Sequence, residues 1–121
     1  MNCQLLLGGE QTTAAENINQ AFGLSEGKHV VMLDRRVVVT KGWLETLIGV
    51  AEMNPAAGLV GPVTNRMNGI QQVPAVNYDV DTLDGLKQFA NQQMMAHSSE
   101  NNRTMRLGGF CLLIKRELMS R

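Results

Sequence analysis

The run GKHVVMLDRRVVVTKGWLETL at residues 27–47 constrains the fold of this chain more than any other. Val30, Val31, Met32 and Leu33 form a continuous apolar stretch of the kind found in strands covered on both faces, and Asp34, Arg35 and Arg36 follow where such a strand ends. The next apolar residues, Trp43, Leu44, Leu47, Ile48 and Ala51, recur at helical spacing. Asn54-Pro55 closes that helix, because proline cannot continue it and restricts the residue before it. In open α/β sheets, ligands bind outside the end of such a strand.

The same alternation extends along the chain. Strands are expected at residues 3–7, 29–33, 37–39, 59–63 and 105–114, and helices at 13–22, 42–53 and 83–95. Thr13 and Glu16 have capping-box spacing, and Ala14, Ala15, Ile18, Ala21 and Phe22 share a stripe that should pack on the sheet. Asp81 and Asp84 ahead of Leu86, Phe89, Ala90 and Met94 mark the third helix. Strands alternating with helices predict a single α/β domain over residues 1–121, with a mostly parallel sheet, helices on both faces, and only the last strand opposed.

Composition excludes several functions. Eleven basic and eleven acidic residues cancel, so no global field favours nucleic acid or an anionic surface, and any charge-based function is local. The basic C-terminal third, Arg103, Arg106, Lys115, Arg116 and Arg121, has no interleaved aromatics of the kind that stack on bases. No stretch reaches the roughly 18 apolar residues of a membrane span, and no leader-like segment opens the chain, so a cytoplasmic protein is expected. Cys3 and Cys111 are far apart and read as reduced thiols, while His29 and His97 are isolated from them and from each other. Gly8-Gly9 precedes a capped helix without either phosphate-loop pattern and reads as a turn. Eight methionines against five aromatic residues point to a core of adaptable side chains.

Several segments in order resemble one family. The apolar strand ending in Leu33-Asp34-Arg35-Arg36, the β-branched stretch and Gly42-Trp43-Leu44 are similar to the central signature of family-2 glycosyltransferases of the GT-A fold. Asn19, AEMNPAAGLVGPVTN at residues 51–65, GIQQV at 69–73 and RLGGFCLLIKREL at 106–118 extend the resemblance over nearly the whole chain. It implies the central part of a catalytic domain, a partial GT-A fold without the usual N-terminal βαβ unit and C-terminal base-bearing segment. The implied parent activity is transfer of a sugar from a nucleotide-sugar to a carbohydrate or lipid-linked acceptor, incomplete in this chain alone.

The family holds a divalent cation with carboxylates after the central strand, and such a cation offsets the departing diphosphate charge. Asp34 aligns with the first acid, but Arg36 stands where the metal-binding acid belongs, so no metal is expected, with Asp34 the one ligand if an ion were kept. Arg36 either contacts a diphosphate directly or is a solvated turn residue. By resemblance, Asp34, Arg36 and Asn19 face the nucleotide-sugar, and Trp43, Asn65, Arg106, Gly108 and Gly109 face the acceptor. Each has a plainer reading: Asn19 on a solvated helix face, Trp43 as a core anchor, Asn65 in an ordinary loop, the glycines in a bulge, and Arg106 as a strand-edge cation. The alternative function is a non-catalytic binding or assembly module whose exposed sheet edges pair in a homo-oligomer. A small nucleotide binder built on Gly8-Gly9 is a third.

Overall fold

The most apolar strand near the C-terminus organises the sheet. The computed structural model describes residues 5, 7–67, 69–79, 81–97 and 100–119. In chain order they form α1 (Ala14–Leu24), β1 (His29–Leu33), α2 (Trp43–Met53), β2 (Leu59–Val60), α3 (Leu83–Ala96), β3 (Cys111–Lys115) and α4 (Arg116–Met119). The strand order is β1-β3-β2, and β3 runs antiparallel to both neighbours. Leu113 lies opposite Val31 on one side and Val60 on the other, and it is fully buried.

This corrects the expected architecture. Among the described residues the sheet has three strands, is antiparallel, and is not a mostly parallel sheet with helices on both faces. Alternation does set β1 and β2 in a common direction with α2 crossing between them. It does not say which strands become neighbours, and β3 takes the position between them. The strand expected at 37–39 is irregular chain, that at 59–63 shortens to β2, and that at 105–114 begins only at Cys111. Of the strand expected at 3–7, residues 3, 4 and 6 lie outside the described residues, and residues 5 and 7 are in no strand.

One face of the sheet is covered by α2. Leu47 and Ala51 close on Val60, Cys111 and Leu113, with Val31, Trp43, Ile48, Val50 and Phe110 packed around them. Cys111 carries a free thiol whose pKa burial pushes up. The helix starts after Gly42, whose φ of 77° lies in the left-handed region that glycine adopts without strain. It ends as expected at Asn54, whose backbone N–H and side-chain amide both donate to the Val50 carbonyl.

The first helix behaves differently from its sequence pattern. Its capping box forms, with Glu16 N–H donating to Thr13 Oγ1 (3.2 Å) and Thr13 N–H to the Glu16 carboxylate (2.7 Å). Yet α1 contributes no buried residue, and Ile18 is 42% exposed. What fastens it is Arg116: the guanidinium sits 4.7 Å from the centre of the Phe22 ring and donates to Ser25 Oγ and the Gly27 carbonyl. In α3 the N-cap is Thr82, which accepts from Gly85 N–H, and Phe89 is buried against Tyr78. No described helix is long and apolar enough to cross a membrane.

These differences predict unequal costs for two similar truncations. Leu113→Ala should lower the unfolding free energy by about 3 kcal/mol, the usual range for a buried leucine. Ile18→Ala should cost less than about 1 kcal/mol, as a partly exposed site does. Urea titration followed by circular dichroism measures both; an equal loss would mean that α1 is part of the core.

Candidate functional site

The chain corner after β1 is a closed ionic turn. Asp34 N–H donates to the Phe110 carbonyl at 2.8 Å, which carries the β1–β3 pairing one residue past Leu33. The backbone then reverses, with Val37 N–H donating to the Asp34 carbonyl at 3.0 Å. Inside this turn Asp34 Oδ1 accepts from Arg36 N–H (2.9 Å) and Nε (3.0 Å), and Oδ2 accepts from Nη2 (3.1 Å). The guanidinium fork therefore grips both oxygens of the carboxylate, a strong charge-assisted geometry. These side-chain hydrogen bonds, followed by the Arg36 N–H, hold the Asp34 carboxyl down to about 2. The same contact raises the Arg36 pKa.

A second segment, residues 61–73, reaches the same end of the sheet. Gln71 is its fastener and is buried, an uncommon place for an amide. Its Nε2 donates to the Pro62 carbonyl (2.8 Å), and its Oε1 accepts from Gly108 N–H (2.7 Å). Around it, Thr64 N–H donates to the Gln71 carbonyl and Val73 N–H to the Thr64 carbonyl, forming a short parallel bridge. Gln72 accepts from Met67 N–H and donates to the carbonyls of Asn65 and Val73. Asn65 donates its side-chain amide to the Tyr78 hydroxyl. A loop with its polar groups matched in this way is ordered by design of its sequence, since each unmatched buried group would cost about 1–3 kcal/mol.

The third segment, residues 106–110, lies between the other two. Phe110 bonds Asp34 on one side, and Gly108 bonds Gln71 on the other. A side chain at Gly108 would collide with Met67 and crowd Phe110, whereas Gly109 has open space beside it. Asp34, Arg36, Asn65, Arg106, Gly108 and Gly109 thus all sit on segments that meet at the carboxyl ends of β1 and β2. Two expected site residues do not join them. Asn19 is exposed on α1, whose fastening to Arg116 is at the amino end of β1, and Trp43 packs at the margin of the core.

The charge at this end is one-sided despite the neutral total. Arg35, Arg36, Arg66 and Arg106 lie on the three segments and are exposed, and Asp34 is their single carboxylate. A divalent cation fits this set poorly: the carboxylate oxygens are already occupied by a cation of the chain itself. Among the described residues, no group of three or more His, Cys, Asp or Glu side chains comes together. His97 pairs with Glu100, and His29 lies 3.1 Å from Glu52, far apart in the chain. Gly9 accepts two hydrogen bonds from Thr12, so Gly8-Gly9 opens a turn.

Sequence reasoning missed Gln71 and Gln72 as residues that build the site. The signal was the GIQQV stretch, where an amide sits between Ile70 and Val73 at a position otherwise suited to an apolar residue. No family model, curated protein or solved structure matches the chain.

Two measurements check this geometry. Gln71→Leu leaves the Gly108 N–H and the Pro62 carbonyl without their partner, so stability should fall by about 2 kcal/mol or more and Gly108 amide exchange should accelerate. For Asp34, the depressed pKa means that the contribution of its pair to stability is complete above the ordinary 3.8 and is lost as pH falls through about 2. Carboxyl NMR should give an Asp34 midpoint near 2, moving up towards 3.8 in Arg36→Ala.

Proposed function

We propose that this chain is a glycosyltransferase-like module that binds the diphosphate of a nucleotide-sugar through arginine donors, without a divalent cation, and does not complete sugar transfer on its own. The observation that carries this reading is that Arg35, Arg36, Arg66 and Arg106 are exposed on the three segments that meet at one sheet end, and that the single carboxylate of those segments is internally paired. Guanidinium groups suit phosphate oxygens through parallel N–H bonds, and Arg36 keeps donor capacity beyond the two N–H groups given to Asp34. Transfer would need a carboxylate to take a proton from an acceptor hydroxyl. Asp34, with its pKa held near 2, is a weak base at neutral pH. Asn65 and Gly109, which has open space beside it, are on the same segments as Arg66 and Arg106, and the acceptor side of the reading is assigned to them. A cytoplasmic location goes with this proposal.

Calorimetric titration with uridine and guanosine diphosphates tests it, with and without Mn2+. The expected result is binding of equal affinity in both conditions, weakened at least about tenfold in Arg36→Ala, in line with loss of a charged hydrogen bond. Absence of binding, or binding that requires Mn2+, would overturn it.

A second reading, a non-catalytic assembly module that forms a homo-oligomer, is favoured by exposed apolar side chains. Leu33, Val38 and Val39 are exposed at the end of β1 and just after it, Leu59 is exposed on the opposite edge strand β2, and Met105 is 95% exposed. Scattered apolar residues are ordinary on a surface, but a group around an open sheet edge fits a covered interface.

A further inference from the structure

We propose that the outer edge of β1 pairs antiparallel with the same edge of a second copy of this chain, on a two-fold axis through Val31; this rests on the assembly reading. The inner edge is fixed by two bonds: Arg116 N–H donates to the Lys28 carbonyl (3.0 Å) and Asp34 N–H to the Phe110 carbonyl (2.8 Å). Residues 28, 30, 32 and 34 therefore turn their backbone groups towards β3, and His29, Val31 and Leu33 turn theirs outward. Among the described residues, no strand pairs with that outer edge. The strand His-Val-Val-Met-Leu contains no proline, glycine, lysine, arginine or carboxylate, the usual devices that blunt an edge, and its one polar side chain, His29, is mostly buried beside Glu52.

What selects a second copy is the self-complementarity of the sequence from Lys28 to Asp34. Pairing about Val31 sets the outward groups of residues 29, 31 and 33 against those of 33, 31 and 29. On one face Val30 then meets the partner's Met32, and at both ends Lys28 meets the partner's Asp34. Opposite charges directly across a ladder stabilise it, and like charges oppose it. Other registers that match the outward groups lose this feature. An axis at Met32 sets Lys28 against the partner's Arg36, and an axis at Val30 sets it against the partner's Met32. To take this role Lys28 exchanges its contact with Glu52, a surface ion pair on a side chain 76% exposed, for one with the partner's Asp34, whose Oδ2 accepts only one bond from Arg36 and keeps a lone pair. The pairing extends each three-stranded sheet to six strands. It also brings the partner's Lys28 to the sheet end that carries Asp34 and Arg36, so each copy contributes a cation to the other's candidate site.

Sedimentation equilibrium of the whole chain over a range of concentrations tests this, with charge-swapped variants. The wild-type chain should dimerise. Lys28→Asp or Asp34→Lys should weaken the dimer about tenfold, and the double variant should regain most of that loss. Val31→Pro removes an outward N–H and leaves the bonds to β3 intact, so it should abolish the dimer while far-UV circular dichroism is retained. A chain that stays monomeric overturns both this pairing and the assembly reading. A dimer indifferent to the swaps and to Val31→Pro overturns the β1 pairing and leaves assembly through another surface. A dimer broken by Val31→Pro but indifferent to the swaps overturns the register. Should Val31→Pro fail to fold, the swaps alone decide.

Discussion

The structure depends on β3 being able to pair on both of its edges. A strand of Cys111, Leu112, Leu113, Ile114 and Lys115 buries Cys111 and Leu113 beneath α2 while hydrogen bonding β1 and β2 at once. Because β3 runs against both neighbours, the residues entering it emerge beside the residues leaving the other two. That single topological fact brings residues 34–36, 61–73 and 106–110 to one end of the sheet. Asp34 bonded to Phe110, and Gly108 bonded to Gln71, are its local expression.

The chemistry at that end follows from replacing attraction for a cation with a resident one. An aspartate after a strand is a ready ligand for a hard metal ion, yet here the guanidinium two residues later occupies both oxygens. The pair neutralises its own acid, and no further carboxylate lies on the segments that carry the other arginines. A chain with no net charge thereby carries a local excess of basic residues on these segments. The buried amide of Gln71 holds the loop bearing Arg66 against the strand that follows Arg106, so the cations are placed by neutral hydrogen bonds.

Local features were legible in the sequence, and long-range ones were not. The Thr13–Glu16 capping box, the α2 stripe with its Asn54-Pro55 stop, and the strand ending at Leu33 depend on near neighbours, and each formed. The stripe on α1 predicted a helix correctly, but its expected packing on the sheet does not bury it; cation–π and hydrogen-bonding contacts from Arg116 tie the helix and the turn after it to the start of α4. Strand adjacency was unreadable because pairing across more than fifty residues leaves no periodic trace, and β3, the strand expected to be opposed, pairs with both β1 and β2. At the site, the sequence offers Arg36 either as a diphosphate contact or as a solvated turn residue, and the structure shows it exposed in a turn. The two-residue spacing also lets the arginine fold back onto the aspartate, and that local bond prevailed. Gln71 lies in the GIQQV stretch that the sequence singles out, but its role as a fastener depends on two distant partners, the Pro62 carbonyl and the Gly108 N–H.

The account stands on the three segments acting together as a receptor for a diphosphate. Two-dimensional amide NMR of the chain titrated with inorganic pyrophosphate, first without and then with Mg2+, tests this most directly. The account predicts saturable shifts confined to residues 34–36, 61–73 and 106–110, already complete before the metal is added. Shifts that arise only with Mg2+, that fall on α1 or α3 instead, or that are absent would contradict it.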